Sequence, residues 1–81
     1  MISAVVLVNT DLGSQDKVLE SLRQVEGVQE AHALYGVYDL LLKIKAGSVD
    51  KLKDITKSHI KQVSGVSSFL TLMIVEDPLK A

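Results

Sequence analysis

The pentapeptide Gln-Val-x-Gly-Val occurs twice in this chain, at residues 24–28 (QVEGV) and 62–66 (QVSGV), an offset of 38 positions (62 − 24). Each copy reads as the last turn of an amphipathic helix, a glycine stop and the first residue of a strand. Such a recurrence predicts one helix-to-strand unit used twice. Ser-x-Asp-Lys opens both predicted helices, at 14–17 and 48–51. From that serine to the valine before the stop is 11 positions in the first unit (25 − 14) and 15 in the second (63 − 48). The second helix is therefore expected to be about one turn longer.

Around the repeat, residues 2–8 are β-branched and apolar nearly throughout, the pattern of a strand buried on both faces, and residues 9–13 break it. Val18, Leu19, Leu22 and Val25 then form a helical stripe, with Ser14 as N-cap and Asp16 in the first turn. Residues 28–35 form a second strand of mixed character, and Gly36-Val37 a tight turn. Residues 39–45 (DLLLKIK) alternate Leu40, Leu42 and Ile44 against Leu41, Lys43 and Lys45, which completes a hairpin. The second helix carries Leu52, Ile55, His59, Ile60 and Val63 inward, residues 66–75 form the last strand, and Asp77-Pro78 ends it. The order is β-α-β-β-α-β, a ferredoxin-like α+β fold with two helices on one face of a four-stranded antiparallel sheet.

The other sheet face should then be polar, yet Val5, Leu7, Leu41, Phe69, Met73 and Val75 have the wrong parity to join Val6, Leu42 and Ile74 inside. Unless a bulge reshuffles the parity, that greasy face is expected to pack on a second subunit as a homodimer. Length points the same way. A chain of 81 residues forms one domain, 1–81, and buries only roughly 60–65% of its unfolded surface, so assembly adds stability it otherwise lacks.

Composition removes several chemistries. There is no cysteine, which excludes disulfides, thiolate nucleophiles and Cys-containing metal sites. The formal charge is −1 and the only aromatics are Tyr35, Tyr38 and Phe69, so neither phosphate contacts nor base stacking is favoured and no direct nucleic-acid partner is expected. The third strand lacks the aromatics of an RRM, and the only arginine, Arg23, lies near a helix end rather than in a phosphate-cradling loop. His32 and His59 have no second ligand at metal-binding spacing, so no metal and no cofactor are expected. Lys53, Lys57 and Lys61 recur along the second helix, but Asp50 and Asp54 intersperse the lysines, as on a solvated face. The first apolar run is too short to span a membrane and lacks a cleavage pattern, so a soluble, cytoplasmic protein is expected.

One stretch stands outside the repeat, Tyr35-Gly36-Val37-Tyr38-Asp39. Glycine lets a ligand approach the backbone, exposed turn amides can hold a carboxylate, and Asp39 can pair with an ammonium group. Those provisions suit the head of an amino acid. A plain hairpin turn in which Asp39 caps its own backbone accounts for the same residues equally well.

Val-x-Glu-Ala (28–31), Gly-x-Tyr-Asp followed by an aliphatic run (36–42), and Gly65-Val66 with Thr71 five residues on are, in this order and spacing, similar to one family. They resemble the effector-binding, or RAM, domain of the Lrp/AsnC transcription regulators. The resemblance covers essentially the whole chain. It implies the βαββαβ fold, dimers packed sheet to sheet, rings that are often octamers, and an amino-acid effector bound between dimers near the hairpin turn. It also implies that Leu34, Tyr35, Gly36, Tyr38 and Asp39 line the pocket, with Thr71 contributing from the last strand. Tyr35 departs from the family, which usually has threonine or another small residue there, and its bulk would narrow the pocket or change its specificity. Because the first strand starts at Ile2, the helix-turn-helix domain of full-length members is expected to be absent. The expectation is a non-enzymatic amino-acid sensing module that assembles with itself and modulates full-length relatives through mixed rings. Alternatives are an ACT-like regulatory domain, since Asp11-Leu12-Gly13 precedes a helix as in ACT modules, a purely structural oligomerisation domain, or a small cofactor-free enzyme.

Overall fold

A computed structural model describes residues 2–74 and shows the elements β1 (Ile2–Thr10), α1 (Gln15–Arg23), β2 (Val28–Ala33), β3 (Leu40–Ala46), α2 (Val49–Asp54) and β4 (Val66–Ile74). A π-helical turn, Ile55–Ile60, continues directly from α2. The four strands form one sheet in the order β2-β3-β1-β4 with every neighbour antiparallel, which is the expected ferredoxin-like α+β arrangement. β1 runs two residues beyond the predicted 2–8, because Asn9 and Thr10 keep their pairing with β4. Val75 and the Asp77-Pro78 stop lie outside the described residues.

Both repeat glycines have positive φ, 98° at Gly27 and 100° at Gly65, where a side chain is strained. Both are also sites of close packing, and reciprocally so. A Cβ on Gly27 would lie 2.9 Å from Ile55 Cδ1 of the second helix, and one on Gly65 would lie 2.7 Å from Val18 Cγ2 of the first. Their carbonyls are used in parallel as well. Gly27 accepts from Lys45 N at the end of β3, and Gly65 accepts from Asp11 N just past β1. The duplication read from sequence is thus a structural pseudo-symmetry in which each unit's glycine seats the other unit's helix.

The repeat extends one step further than the sequence suggested. Val28 pairs with Ile44 and Glu30 with Lys43, so Gln29 is left without a partner. Thr10 pairs with Val66 and Asn9 with Ser68, which leaves out Ser67 in the same way. The residue after each Gly-Val is therefore bulged out. The second bulge inverts the face assignment expected for β4. Val66 points to the helices, but beyond Ser67 the inward residues are Phe69, Thr71 and Met73, opposite Val8, Val6 and Ala4. Phe69 and Met73, expected outside, thus share the helix face, and Ile74, expected inside, joins Leu70 and Leu72 on the open face.

The core lies between sheet and helices and contains Ala4, Val6, Val8, Val18, Leu22, Leu40, Leu42, Ile44, Leu52, Ile55 and Ile60, all buried. His59, expected among them, is exposed. In an unbroken α-helix it would follow Leu52 by seven positions and share its side. The π turn closes Lys61 N onto Thr56 O, one residue wider than an α turn. That extra residue rotates His59 to the flank and brings Ile60 to the centre of the buried side.

The open face divides in two. Val5 and Leu7 of β1 and Leu41 of β3 are half-buried there, and Leu70, Leu72 and Ile74 of β4 are 44%, 47% and 49% exposed. On the β2 side the same face carries Glu30, His32 and Lys43, with Glu30 Oε1 3.1 Å from His32 Nε2 and Glu30 Oε2 4.0 Å from Lys43 Nζ. The His32 hydrogen bond, then the Lys43 charge, holds the Glu30 carboxyl below its ordinary value of 4.5. Among the described residues no helix is long and apolar enough to cross a membrane.

Candidate functional site

The connection between β2 and β3 spans residues 34–39, a wider loop than the two-residue turn expected, because β2 ends at Ala33. Its base is tied down at several points. Leu34 N donates to Asp39 O at 2.8 Å, and Asp39 N donates to Val8 O at 3.0 Å. Gln15 Nε2, from the first residue of α1, donates to the same Asp39 O at 2.8 Å and to Leu34 O at 3.4 Å. Sequence reasoning passed over Gln15, since a polar residue opening a helix carries no distinctive signal.

The Asp39 carboxylate is also engaged. Its Oδ2 accepts from Thr10 N at 2.8 Å and from Thr10 Oγ1 at 3.2 Å. The aspartate therefore caps the end of β1 across the sheet rather than its own turn. Its Oδ1 makes no hydrogen bond among the described residues. One carboxylate oxygen fastens the loop, and the other is left for a donor.

Above this anchored base the loop tip is open. Tyr35 is fully exposed and Val37 is 88% exposed, while Leu34 and Tyr38 are half-buried. A Cβ on Gly36 would meet nothing within 4 Å. The amides of Tyr35, Gly36, Val37 and Tyr38 donate to no backbone carbonyl among the described residues. Leu12, in the β1–α1 connection, is also fully exposed at this end of the sheet. Free amides beside a half-used carboxylate can take an anionic and a cationic group together.

Thr71 stands apart. It is half-buried on the helix side of β4 opposite Val6, whereas Asp39 follows the row in which Val8 faces Leu40 and Phe69. That places it about 10 Å along the sheet and about 10 Å across it from the turn. A single chain brings Leu34, Tyr35, Gly36, Tyr38 and Asp39 together and leaves Thr71 at a distance.

Residues 3–81 match the family model described as the Lrp/AsnC ligand binding domain. An uncharacterised HTH-type transcriptional regulator of Pyrococcus furiosus is 30% identical over 74 residues, covering 88% of this chain and 49% of the relative. The chain thus spans about half the length of the curated relatives it matches. A solved structure from Thermus thermophilus superposes with a TM-score of 0.90 at 26% identity, covering 95% of this chain and 96% of that one. The regulator NMB0573 of Neisseria meningitidis, solved as a complex with L-Met, superposes at 0.84 with 16% identity, covering 95% of this chain and 51% of that one. On the family match, which covers nearly the whole chain, the chain belongs to the Lrp/AsnC ligand-binding domain family.

Proposed function

We propose that this chain is an effector-binding and assembly module whose 34–39 turn takes the head group of an amino acid. The observation that carries the reading is the turn itself, with Asp39 Oδ1 left for an ammonium group beside a run of unpaired amides left for a carboxylate. The relative solved with L-Met supports the ligand class. Tyr35, fully exposed at the rim, selects among side chains rather than filling the site. Thr71, distant within one chain, joins the pocket from a neighbouring protomer.

Assembly follows from the open face. Its apolar half, Val5, Leu7, Leu70, Leu72 and Ile74 with Leu41, covers the β1–β4 side, and its charged half covers the β2 side. A homodimer packed sheet to sheet and offset toward β4 buries the first and leaves the second wet. Rings such as octamers then bring turns of different dimers together. By entering assemblies with HTH-type relatives, the chain modulates transcription. No catalytic role is proposed.

Thermal denaturation with each standard amino acid, read beside oligomer mass by light scattering, tests this. A ligand at about 100 times its dissociation constant adds roughly 2.7 kcal/mol to stability. A stabilising amino acid whose effect is lost on removing Asp39 is the expected result. If no amino acid raises the melting temperature or changes the mass, the reading fails and a purely structural module takes its place.

A further inference from the structure

A cleft of about 280 Å³ lies at the opposite end of β3 from the turn, between the 24–27 connection and the second helix. With β3 spanning Leu40–Ala46, the two places are about 20 Å apart. Gly27, Ala46 and Ile55 form an apolar floor, Glu26 stands on one side and Lys51 and His59 on the other, and Lys45 and Gly47 complete the lining. Glu26, Lys45, Lys51 and His59 are all exposed, and Glu26 forms no ion pair with Lys45 or Lys51 among the described residues. Opposite charges thus face the same space without closing on one another.

The second wall owes its composition to an irregularity in the helix. Lys51, Ile55 and His59 succeed one another at four-residue steps, and the π turn is what moves His59 off the buried side to this flank. π turns are rare and concentrate at functional sites. Here the π turn adds an imidazole to the wall that already holds the ammonium group. His59 Nε2 is 4.0 Å from Asp54 Oδ2, too far for a hydrogen bond, so the ring keeps its donor and acceptor capacity.

We propose that this cleft is a second binding site, for a small zwitterion of the α-amino-acid class. The ligand carboxylate meets Lys51 and His59, its ammonium group meets Glu26, and its side chain rests on Ile55 and Ala46. The volume is on the scale of a small metabolite. The site does not depend on binding at the 34–39 turn, and the two places report separately.

The test is methyl NMR of the full chain carrying δ1-methyl-labelled isoleucine, titrated with each standard amino acid. Ile55 reports the cleft, and the Gly36 and Asp39 amides report the turn. The expected result is a saturable shift of the Ile55 signal with at least one amino acid. Lys51→Ala and Glu26→Gln, both at exposed positions, each weaken that titration about tenfold or more. The proposal is overturned if no amino acid moves Ile55, or if the shift persists undiminished in both variants. Shifts confined to the turn overturn it too, while leaving the turn reading intact. Shifts confined to the cleft uphold it and count against the turn.

Discussion

Asp39→Ala separates what the turn does for the fold from what it does for a ligand. The carboxylate accepts two hydrogen bonds from Thr10, one from the backbone at 2.8 Å and one from the hydroxyl at 3.2 Å, and both are part-buried. Removing the acceptor leaves the Thr10 amide without a partner, at a cost of about 1–3 kcal/mol. For a domain of this size each kcal/mol corresponds to about 4–8 °C, so a fall of roughly 5–20 °C is expected at fixed protein concentration. Asp39→Asn is the informative companion. Its amide oxygen can still accept from Thr10 N, so most of the stability returns, but the charge that would hold an ammonium group is gone. The variant should melt near the wild type and yet lose its response to amino acids in the thermal assay. Two results would refute the reasoning. An Asp39→Ala protein within about 0.5 kcal/mol of wild type would show that the Thr10 bonds contribute nothing. An Asp39→Asn protein that still binds normally would show that the carboxylate is structural only.

The repeat glycines should be intolerant for two additive reasons. In Gly65→Ala a Cβ at φ 100° also meets Val18 Cγ2 at 2.7 Å, which together costs roughly 2–5 kcal/mol in chemical denaturation. Gly47→Ala, with nothing within 4 Å and no positive φ, is the neutral control. Leu72→Asp puts a charge into the apolar half of the open face and should shift the mass measured by light scattering to that of a monomer; an unchanged mass would remove that face from the interface. Glu30 should titrate below 4.5 in carboxyl NMR, and His32→Ala should raise it toward that value. Because the folded value is the lower one, the stability Glu30 contributes is present above 4.5 and is lost as pH falls through the folded value. His32→Ala should flatten that part of the acid limb.

The parts of the fold that were legible depend on local signals, and the parts that were not depend on pairing. Alternation along β3 assigned its faces correctly, since Leu40, Leu42 and Ile44 are all buried on one side. The glycine stops were legible because only glycine sits comfortably at φ near 100°. The β4 faces were misread because a bulge is a statement about two strands. Nothing in Val66-Ser67-Ser68 says that Ser67 will be left without a partner opposite the junction of Asn9 and Thr10. The Gln29 bulge one unit earlier is hidden for the same reason. His59 was misplaced for a related reason, the five-residue turn being decided by the need to bury Ile60 rather than by local propensity. At the turn, Asp39 was visible as chemistry but its partner was not, since Thr10 lies 29 residues away. From sequence, capping of the turn's own backbone and ligand binding compete as roles for Asp39. The geometry replaces the first with a cap on β1, made through one oxygen of a carboxylate whose second oxygen stays available, so structural and binding roles are not exclusive. That division of one side chain between two tasks is why Asp39→Asn, rather than Asp39→Ala, is the variant that decides the function.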